Sequence, residues 1–132
     1  DGNIKMTNKL LGKEYKIYGQ QIKGQGLGTK SFVPTINLKV DEFLLPQEGV
    51  YITKTILDSK EYNSISFLGH RVTTDGSYAV ETHILDENIT NDNYTTQIKF
   101  YEKIRDNKKF DNFESLKKQI LDDIELVRKY FK

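Results

Sequence analysis

The chain has 132 residues and a formal net charge of +1, with 20 lysines and arginines against 19 aspartates and glutamates. This length fits one domain with its own core. The near-neutral charge excludes a strongly basic nucleic-acid-binding protein, and the absence of cysteine excludes disulfides and thiolate chemistry. No membrane-length apolar run or signal-peptide pattern is present, so we expect no membrane partner and a cytoplasmic location. The near-neutral charge leads us to expect no nucleic-acid partner.

Residues 1–12 are polar and are expected to be a linker or N-terminal extension, followed by one domain over 13–132. Six segments of this domain show strand-like patterns. Two turn signals separate strands, at Asp58-Ser59 and at Asp75-Gly76, and the second is the stronger hairpin signal. The predicted strands span residues 15–22, 33–40, 50–57, 62–68, 77–85 and 94–104.

The C-terminal segment changes to helical spacing. Its apolar residues recur every three or four positions, which predicts one apolar stripe on an amphipathic helix. Asp111 and Glu114 fit a capping box at its start. Several strands followed by one helix favour an α+β fold or a closed β-barrel with a packed helix. The stripe consists of Phe113, Leu116, Ile120, Ile124, Val127 and Phe131.

Glycine is concentrated in residues 24–30, Gly-Gln-Gly-Leu-Gly-Thr-Lys. Such a loop lets backbone N–H groups approach an anion closely. It is not a Walker A loop, because Thr29 rather than lysine follows Gly28, and it lacks the third glycine of a dinucleotide fingerprint. A mobile hairpin loop is the alternative interpretation.

Thr35 and Asn37 follow Pro34 and are two positions apart. In an extended segment their side chains share a face. A hydroxyl and an amide oxygen together suit a hard cation such as Mg²⁺. A polar turn after proline is the simpler alternative.

Glu81 is an acid within an otherwise apolar predicted strand, and it shares a face with Ala79, His83 and Leu85. An exposed strand face would explain it. A carboxylate held on a rigid strand beside a cleft would instead serve as a general base. A second polar segment, residues 104–110, precedes the helix and is either a solvated loop or part of a binding site.

The order of these motifs resembles the riboflavin kinase family. The resemblance rests on residues 24–30, 34–37, 45–51, 81–86 and 104–111 and extends over about residues 13–132. Residues 10–15 also look like the linker of bacterial bifunctional riboflavin kinase/FAD synthetases. In those proteins a nucleotidyltransferase (FMN adenylyltransferase) domain precedes the kinase domain. The resemblance therefore implies that this chain is the C-terminal kinase part, with such a domain covalently attached at its N-terminus in the whole protein.

The family fold implied is a mainly β, six-stranded antiparallel Greek-key barrel with a C-terminal α-helix. The implied reaction is ATP- and Mg²⁺-dependent phosphorylation of the riboflavin 5′-hydroxyl to FMN, with ADP as the second product. By the match, Glu81 is the catalytic residue, and Thr35 and Asn37 bind the magnesium ion. The residues implied for ATP are Gly24, Lys30, Thr35, Ile84, Asp86 and Tyr94, and those implied for flavin are Arg105, Lys108 and Phe110.

Several positions depart from the family pattern. Phe32 stands where the family has glycine, and Ile36 stands where it has alanine. These departures motivate an alternative function, a non-catalytic barrel module that binds flavin or nucleotide. Glu81, Thr35 and Asn37 are retained, which favours an active kinase. An oligonucleotide-binding barrel is a further class, disfavoured by the near-neutral charge.

Overall fold

The computed structural model describes residues 15–22, 35–41, 45–72, 75–86 and 95–132. Within these ranges six strands precede one C-terminal helix, in the predicted order. The strands are β1 (Tyr15–Ile22), β2 (Ile36–Val40), β3 (Gly49–Leu57), β4 (Lys60–Val72), β5 (Tyr78–Ile84) and β6 (Thr95–Arg105), and the helix is α1 (Phe113–Tyr130).

The strands form a closed antiparallel barrel in the order β1-β2-β5-β4-β3-β6. Strand β2 pairs with β5 and β3 with β6, so two connections skip a neighbour as in Greek-key sheets. Closure leaves no unpaired sheet edge. The predicted barrel with a C-terminal helix is confirmed. Strand β4 is longer than predicted, and residues 33, 34 and 94 of the predicted strands lie outside the described ranges.

The two predicted turns differ from expectation, because the one with the weaker signal forms the tight hairpin. Asp58 and Ser59 have φ values of 49° and 70°, and they join the paired residues Leu57 and Lys60. This is the geometry of a two-residue type I′ hairpin. At the signal predicted to be stronger, only Gly76 of the pair has a positive φ, 88°. There the side chain of Asp75 accepts hydrogen bonds from the backbone N–H and hydroxyl of Ser77, at 3.2 and 2.7 Å.

The barrel interior has two layers. One end is apolar, and Tyr51 and Phe100 meet there edge to face with ring centroids 5.3 Å apart. The other layer consists of buried hydroxyls, in which Thr53 bonds to Ser64 and Ser66 and Ser66 bonds to Thr82, at 2.7 to 3.0 Å. Because these buried hydroxyls bond one another, the polar layer costs little and fixes strand register. The apolar end comprises Ile17, Leu38, Val40, Tyr51, Leu68, Val80, Ile98 and Phe100.

Helix α1 packs against the outer face of β3 and β4 through a second apolar cluster. Phe113, predicted to belong to the apolar stripe, is instead 58% exposed. The predicted capping box is wrong by one residue, since Asn112 is the N-cap and its Oδ1 accepts from the N–H of Ser115 at 2.8 Å. No helix within the described ranges has the length and apolar character needed to cross a membrane. The second cluster comprises Val50, Ile52, Ile65, Phe67, Leu85, Ile120, Ile124 and Val127.

Candidate active site

Asn37 and Glu81 lie directly opposite each other on the paired strands β2 and β5. Opposed residues of an antiparallel pair point to the same face of the sheet. Their neighbours Leu38 and Val80 fill the barrel interior, so Asn37 and Glu81 project from its outer face. Both are nevertheless buried, with 3% and 1% of their surface exposed. The alternative that Glu81 marks an exposed strand face is therefore wrong.

Unsatisfied polar atoms beside Glu81 indicate a ligand-binding site. The oxygens Thr35 Oγ1 and Asn37 Oδ1 are buried and have no hydrogen-bond partner in the structure. A buried polar atom left unsatisfied costs about 1–3 kcal/mol, so native proteins rarely keep one without a reason. Thr35 lies two residues before Asn37, at most about 7 Å along the chain. The structure thus gathers two unused oxygens beside a buried carboxylate.

These oxygens fit a hard divalent cation that also binds phosphates. Mg²⁺ prefers oxygen ligands and keeps much of its coordination shell for water or substrate phosphates. Within the described ranges, no group of three or more histidine, aspartate or glutamate side chains is placed to hold a metal. A cation bound here would find Thr35 Oγ1 and Asn37 Oδ1 as protein ligands.

Glu81 is held on a rigid strand. The next residue, Thr82, faces the interior and bonds to Ser66 across the β4–β5 pair at 2.8 Å. On the outer face Glu81 lies between Asn37 on β2 and Phe67 on β4. Glu81 makes other interactions in the fold, and its Oε1 is buried without a hydrogen bond. A carboxylate fixed in this way can accept a proton from a substrate hydroxyl.

Ile84 and Asp86, both predicted to contact ATP, lie at the end of β5. Ile84 is 5% exposed and shares the inward face of the strand with Thr82, so its side chain is on the opposite face from Glu81. Asp86 is exposed, has φ 60°, and pairs with Arg128 of α1 at 2.7 Å. The hydrogen bond and charge of Arg128 hold the pKa of Asp86 below its usual value. The other predicted ATP residues, Gly24, Lys30 and Tyr94, lie outside the described residues.

The residues predicted to contact flavin lie between β6 and α1. Arg105 ends β6 and donates from Nη2 to the buried carboxylate of Asp123 at 2.7 Å. Lys108 donates to Gln119 of α1 at 3.3 Å. Phe110 is half-buried. Arg105 and Lys108 are therefore both tied to the helix in this structure.

A cavity of about 280 Å³ opens at the apolar end of the barrel. Asn107 donates to the carbonyl of Leu68 at 2.8 Å, which brings the segment after β6 to a residue that lines the cavity. The hydroxyl of Tyr51 donates to the carbonyl of Gln47, and Lys103 donates to Gln47 Oε1 at 3.0 Å. Burial, Asp106 and Tyr15 raise the pKa of Tyr51 to about 12, so this donor stays protonated. The lining residues are Leu45, Pro46, Gln47, Glu48, Leu68, Gly69 and Tyr78.

The cavity and the carboxylate of Glu81 are neighbours on the sheet. Phe67 is directly opposite Glu81, and Gly69, which lines the cavity, lies two residues further along β4. With about 3.4 Å per residue and about 5 Å between strands, the separation is roughly 8 Å. A ligand with a flat ring and a short polar chain can span that distance.

Comparison with known proteins shows the family to which the domain belongs. The model of the family described as Flavokinase: Riboflavin kinase matches residues 11–131. The chain belongs to the riboflavin kinase family. The bifunctional riboflavin kinase/FMN adenylyltransferase of Haemophilus influenzae is 34% identical over 131 residues, covering 98% of this chain and 42% of that protein. The corresponding protein of Listeria monocytogenes is 30% identical and covers 99% of this chain and 43% of its own length.

This riboflavin kinase domain thus spans less than half the length of the curated relatives it matches. Its fold also matches a crystal structure described as a macrolide-efflux protein from Streptococcus pneumoniae. That similarity has a TM-score of 0.83 at 32% identity and covers 97% of this chain and 43% of the other. The efflux description applies to that protein, and the shared feature is the fold.

Two features of this riboflavin kinase domain were absent from the sequence prediction. The first is the cavity, whose only signal was the segment 45–51 that contributed to the resemblance. The second is Asp123, an acidic residue whose side of the helix also carries Ile120, Ile124 and Val127. That position within an apolar stripe is a signal for a buried ion pair, although the sequence does not identify the partner.

Proposed function

We propose that this chain phosphorylates the 5′-hydroxyl of riboflavin with ATP and Mg²⁺, giving FMN and ADP, as the kinase part of a bifunctional riboflavin kinase/FMN adenylyltransferase. The observation that carries the proposal is the pair of unsatisfied oxygens, Thr35 Oγ1 and Asn37 Oδ1, beside the buried carboxylate of Glu81. Residues 13–132 form the kinase domain, and residues 1–12 link it to an adenylyltransferase domain. We place the enzyme in the cytoplasm.

Thr35 and Asn37 hold the magnesium ion of the nucleotide in this proposal. When bound, the ion neutralises charge on the phosphates, which is the main requirement of phosphoryl transfer along with positioning. The remaining nucleotide contacts follow the family match, with Gly24 and Lys30 at the phosphates and Asp86 and Tyr94 around the rest of the nucleotide. Ile84, also implied by the match, would contribute through its backbone, because its side chain faces the barrel interior. Asp86 then serves a second purpose, since it also pairs with Arg128.

Glu81 accepts the proton of the riboflavin 5′-hydroxyl. The hydroxyl oxygen forms a bond to the γ-phosphorus as the bond from that phosphorus to the β–γ bridging oxygen breaks, and ADP leaves with that oxygen. The strand pairing with β2 and β4 holds the carboxylate in place, so little reorganisation is needed when the hydroxyl arrives. Glu81 lies opposite Asn37 on the paired strands, so the proposed proton acceptor and a residue that would hold the metal share one face of the sheet.

The isoalloxazine ring occupies the cavity at the apolar end of the barrel. Flavin sites are apolar slots with a few polar groups that fix orientation. Leu45, Pro46 and Leu68 provide apolar walls, and Gln47 and Glu48 provide polar groups. Arg105, Lys108 and Phe110 belong to the segment brought to this cavity by Asn107. The ribityl chain then extends along β4 toward Glu81.

The test is formation of FMN. The purified chain is incubated with riboflavin, ATP and Mg²⁺, and the products are separated by chromatography. We expect FMN and ADP in equal amounts, and no FMN when Mg²⁺ is chelated. A folded chain that quenches riboflavin fluorescence without forming FMN would contradict the proposal and support a non-catalytic binding module.

A further inference from the structure

A buried ion pair joins the last residue of β6 to the middle of α1. Arg105 Nε lies 3.1 Å from both carboxylate oxygens of Asp123, and Arg105 Nη2 donates to Asp123 Oδ2 at 2.7 Å. The side chain of Asp123 is 3% exposed and that of Arg105 is 14% exposed. Gln119, one turn earlier on the helix, donates to Asp123 Oδ1 at 2.9 Å.

Attaching a helix through a buried ion pair is costly in free energy. Removing two charges from water has a large desolvation cost, and well-packed apolar side chains often hold two elements together equally well. Helix α1 already has such packing through Ile120, Ile124 and Val127. The ion pair therefore has a role beyond attachment of the helix, and the partners of its hydrogen bonds indicate that role.

The contacts of the pair lead into the segment between β6 and α1. Arg105 Nη1 donates to the carbonyl of Asp106 at 3.0 Å, which fixes the first peptide after the strand. Asn107 then reaches the carbonyl of Leu68, a residue of the cavity wall. From the helix side, the Gln119 that bonds to Asp123 also accepts from Lys108 Nζ at 3.3 Å. Asp123 is thus joined to both ends of residues 105–108.

We propose that Asp123 is a positioning residue for riboflavin. Acting through Arg105 and Gln119, its carboxylate sets the backbone of residue 106 and the side chain of Lys108 beside the cavity. This inference rests on the proposed function and extends it, because it assigns a role in flavin affinity to a helix residue that does not touch the flavin. It predicts that loss of this carboxylate weakens riboflavin binding and leaves the nucleotide side unchanged.

The test compares Asp123→Asn with Asp122→Asn. The substitution at 123 keeps size and removes charge, and the control removes the charge of an exposed neighbour that pairs along the helix with Lys118. Hydrogen bonds to charged groups are stronger than those between neutral groups, and Asp123→Asn weakens several of them at once. We therefore expect Asp123→Asn to raise the riboflavin Kd and KM about tenfold or more. We expect kcat at saturating riboflavin and the KM for ATP to stay within about twofold, and the control to match the wild type.

A second variant covers the case in which Asp123→Asn does not fold. Gln119→Met removes only the bridge from Asp123 to Lys108 at a half-buried position, and we expect a smaller rise in riboflavin KM with an unchanged KM for ATP. An unchanged riboflavin Kd in a folded variant would overturn the inference, as would equal effects on both substrates. A wild-type chain that neither binds riboflavin nor forms FMN would contradict the proposed function, and this inference with it.

Discussion

Gly49 is the residue of the 45–51 segment whose structural requirement is clearest. It begins β3 with φ +148°, a backbone conformation that residues with a Cβ rarely adopt. A Cβ added there would lie 2.7 Å from the carbonyl oxygen of Arg105 and 2.6 Å from Lys103 Cε. The lysine end can move away, but the carbonyl belongs to the backbone of β6. Gly49→Ala therefore forces β3 and β6 apart where β6 enters the predicted flavin-binding segment.

The cost has two parts. Backbone strain of this kind costs about 1–3 kcal/mol, and overpacking against a fixed neighbour costs about 1–3 kcal/mol more. The expected total is roughly 2–6 kcal/mol, a large share of the stability of a domain this size. Gly76 provides a matched control, because its φ is +88° and a Cβ there would meet nothing within 4 Å. Gly76→Ala should show the strain part alone.

Urea denaturation of the two variants and the wild type measures the difference. We expect Gly49→Ala to lose at least about 1 kcal/mol more stability than Gly76→Ala, the lower end of the overpacking cost. We also expect its riboflavin affinity to fall, because the end of β6 is displaced. Equal losses in the two variants would refute the argument that close approach to Arg105 requires glycine.

Two further predictions concern the attachment of α1. Ile124→Ala empties a buried position against the barrel and should lower the free energy of unfolding, measured by urea denaturation, by about 2–5 kcal/mol. Leu121 is 45% exposed, so Leu121→Ala should lower it by less than about 1 kcal/mol. Similar losses in the two variants would contradict the packing of α1 on the barrel. Arg128 lowers the pKa of Asp86, so this pair stabilises the fold above the usual aspartate pKa, and its contribution is lost as the pH falls through the lowered value. Asp86→Asn should therefore reduce the acid dependence of thermal stability below about pH 4, and an unchanged acid dependence would contradict the pairing.

The barrel was predictable because its signals are local. Alternation along β5 correctly separated the face of Thr82 from the face of Glu81, since successive strand residues point to opposite sides. The change to helical spacing after residue 110 located α1 to within about a residue. The family resemblance supplied what alternation cannot, the Greek-key arrangement of the six strands in a barrel.

The ambiguities and errors arose where residues distant in the chain determine the burial or the partner of a side chain. Glu81 was compatible with an exposed face until the structure showed that it is buried on the outer side of the barrel. Phe113 follows the helical spacing but lies at the helix start, where the barrel no longer covers it. The partner of Asp123 is 18 positions away and on another element, so no local pattern could identify Arg105.

The two-residue hairpin between β3 and β4 illustrates the same limit. Asp58 and Ser59 both adopt positive φ without a glycine, because the closely paired strands on either side impose the turn. The sequence preference of turn residues is weaker than that constraint. Asp75-Gly76 has the more favourable residues, yet there the turn is built on the Asp75 side chain and its bonds to Ser77.

In the proposed reaction, Glu81 accepts the proton of the riboflavin hydroxyl beside a nucleotide held by Thr35 and Asn37. The rate of FMN formation in a single turnover by Glu81→Gln tests this role, with Glu61→Gln as the matched control, because Glu61 is an exposed carboxylate paired with Lys99. We expect Glu81→Gln to keep its fold and its quenching of riboflavin fluorescence while the rate falls about 10²–10⁴-fold, and we expect the control to be unaffected. Wild-type rates of FMN formation in folded Glu81→Gln would show that Glu81 does not accept the proton.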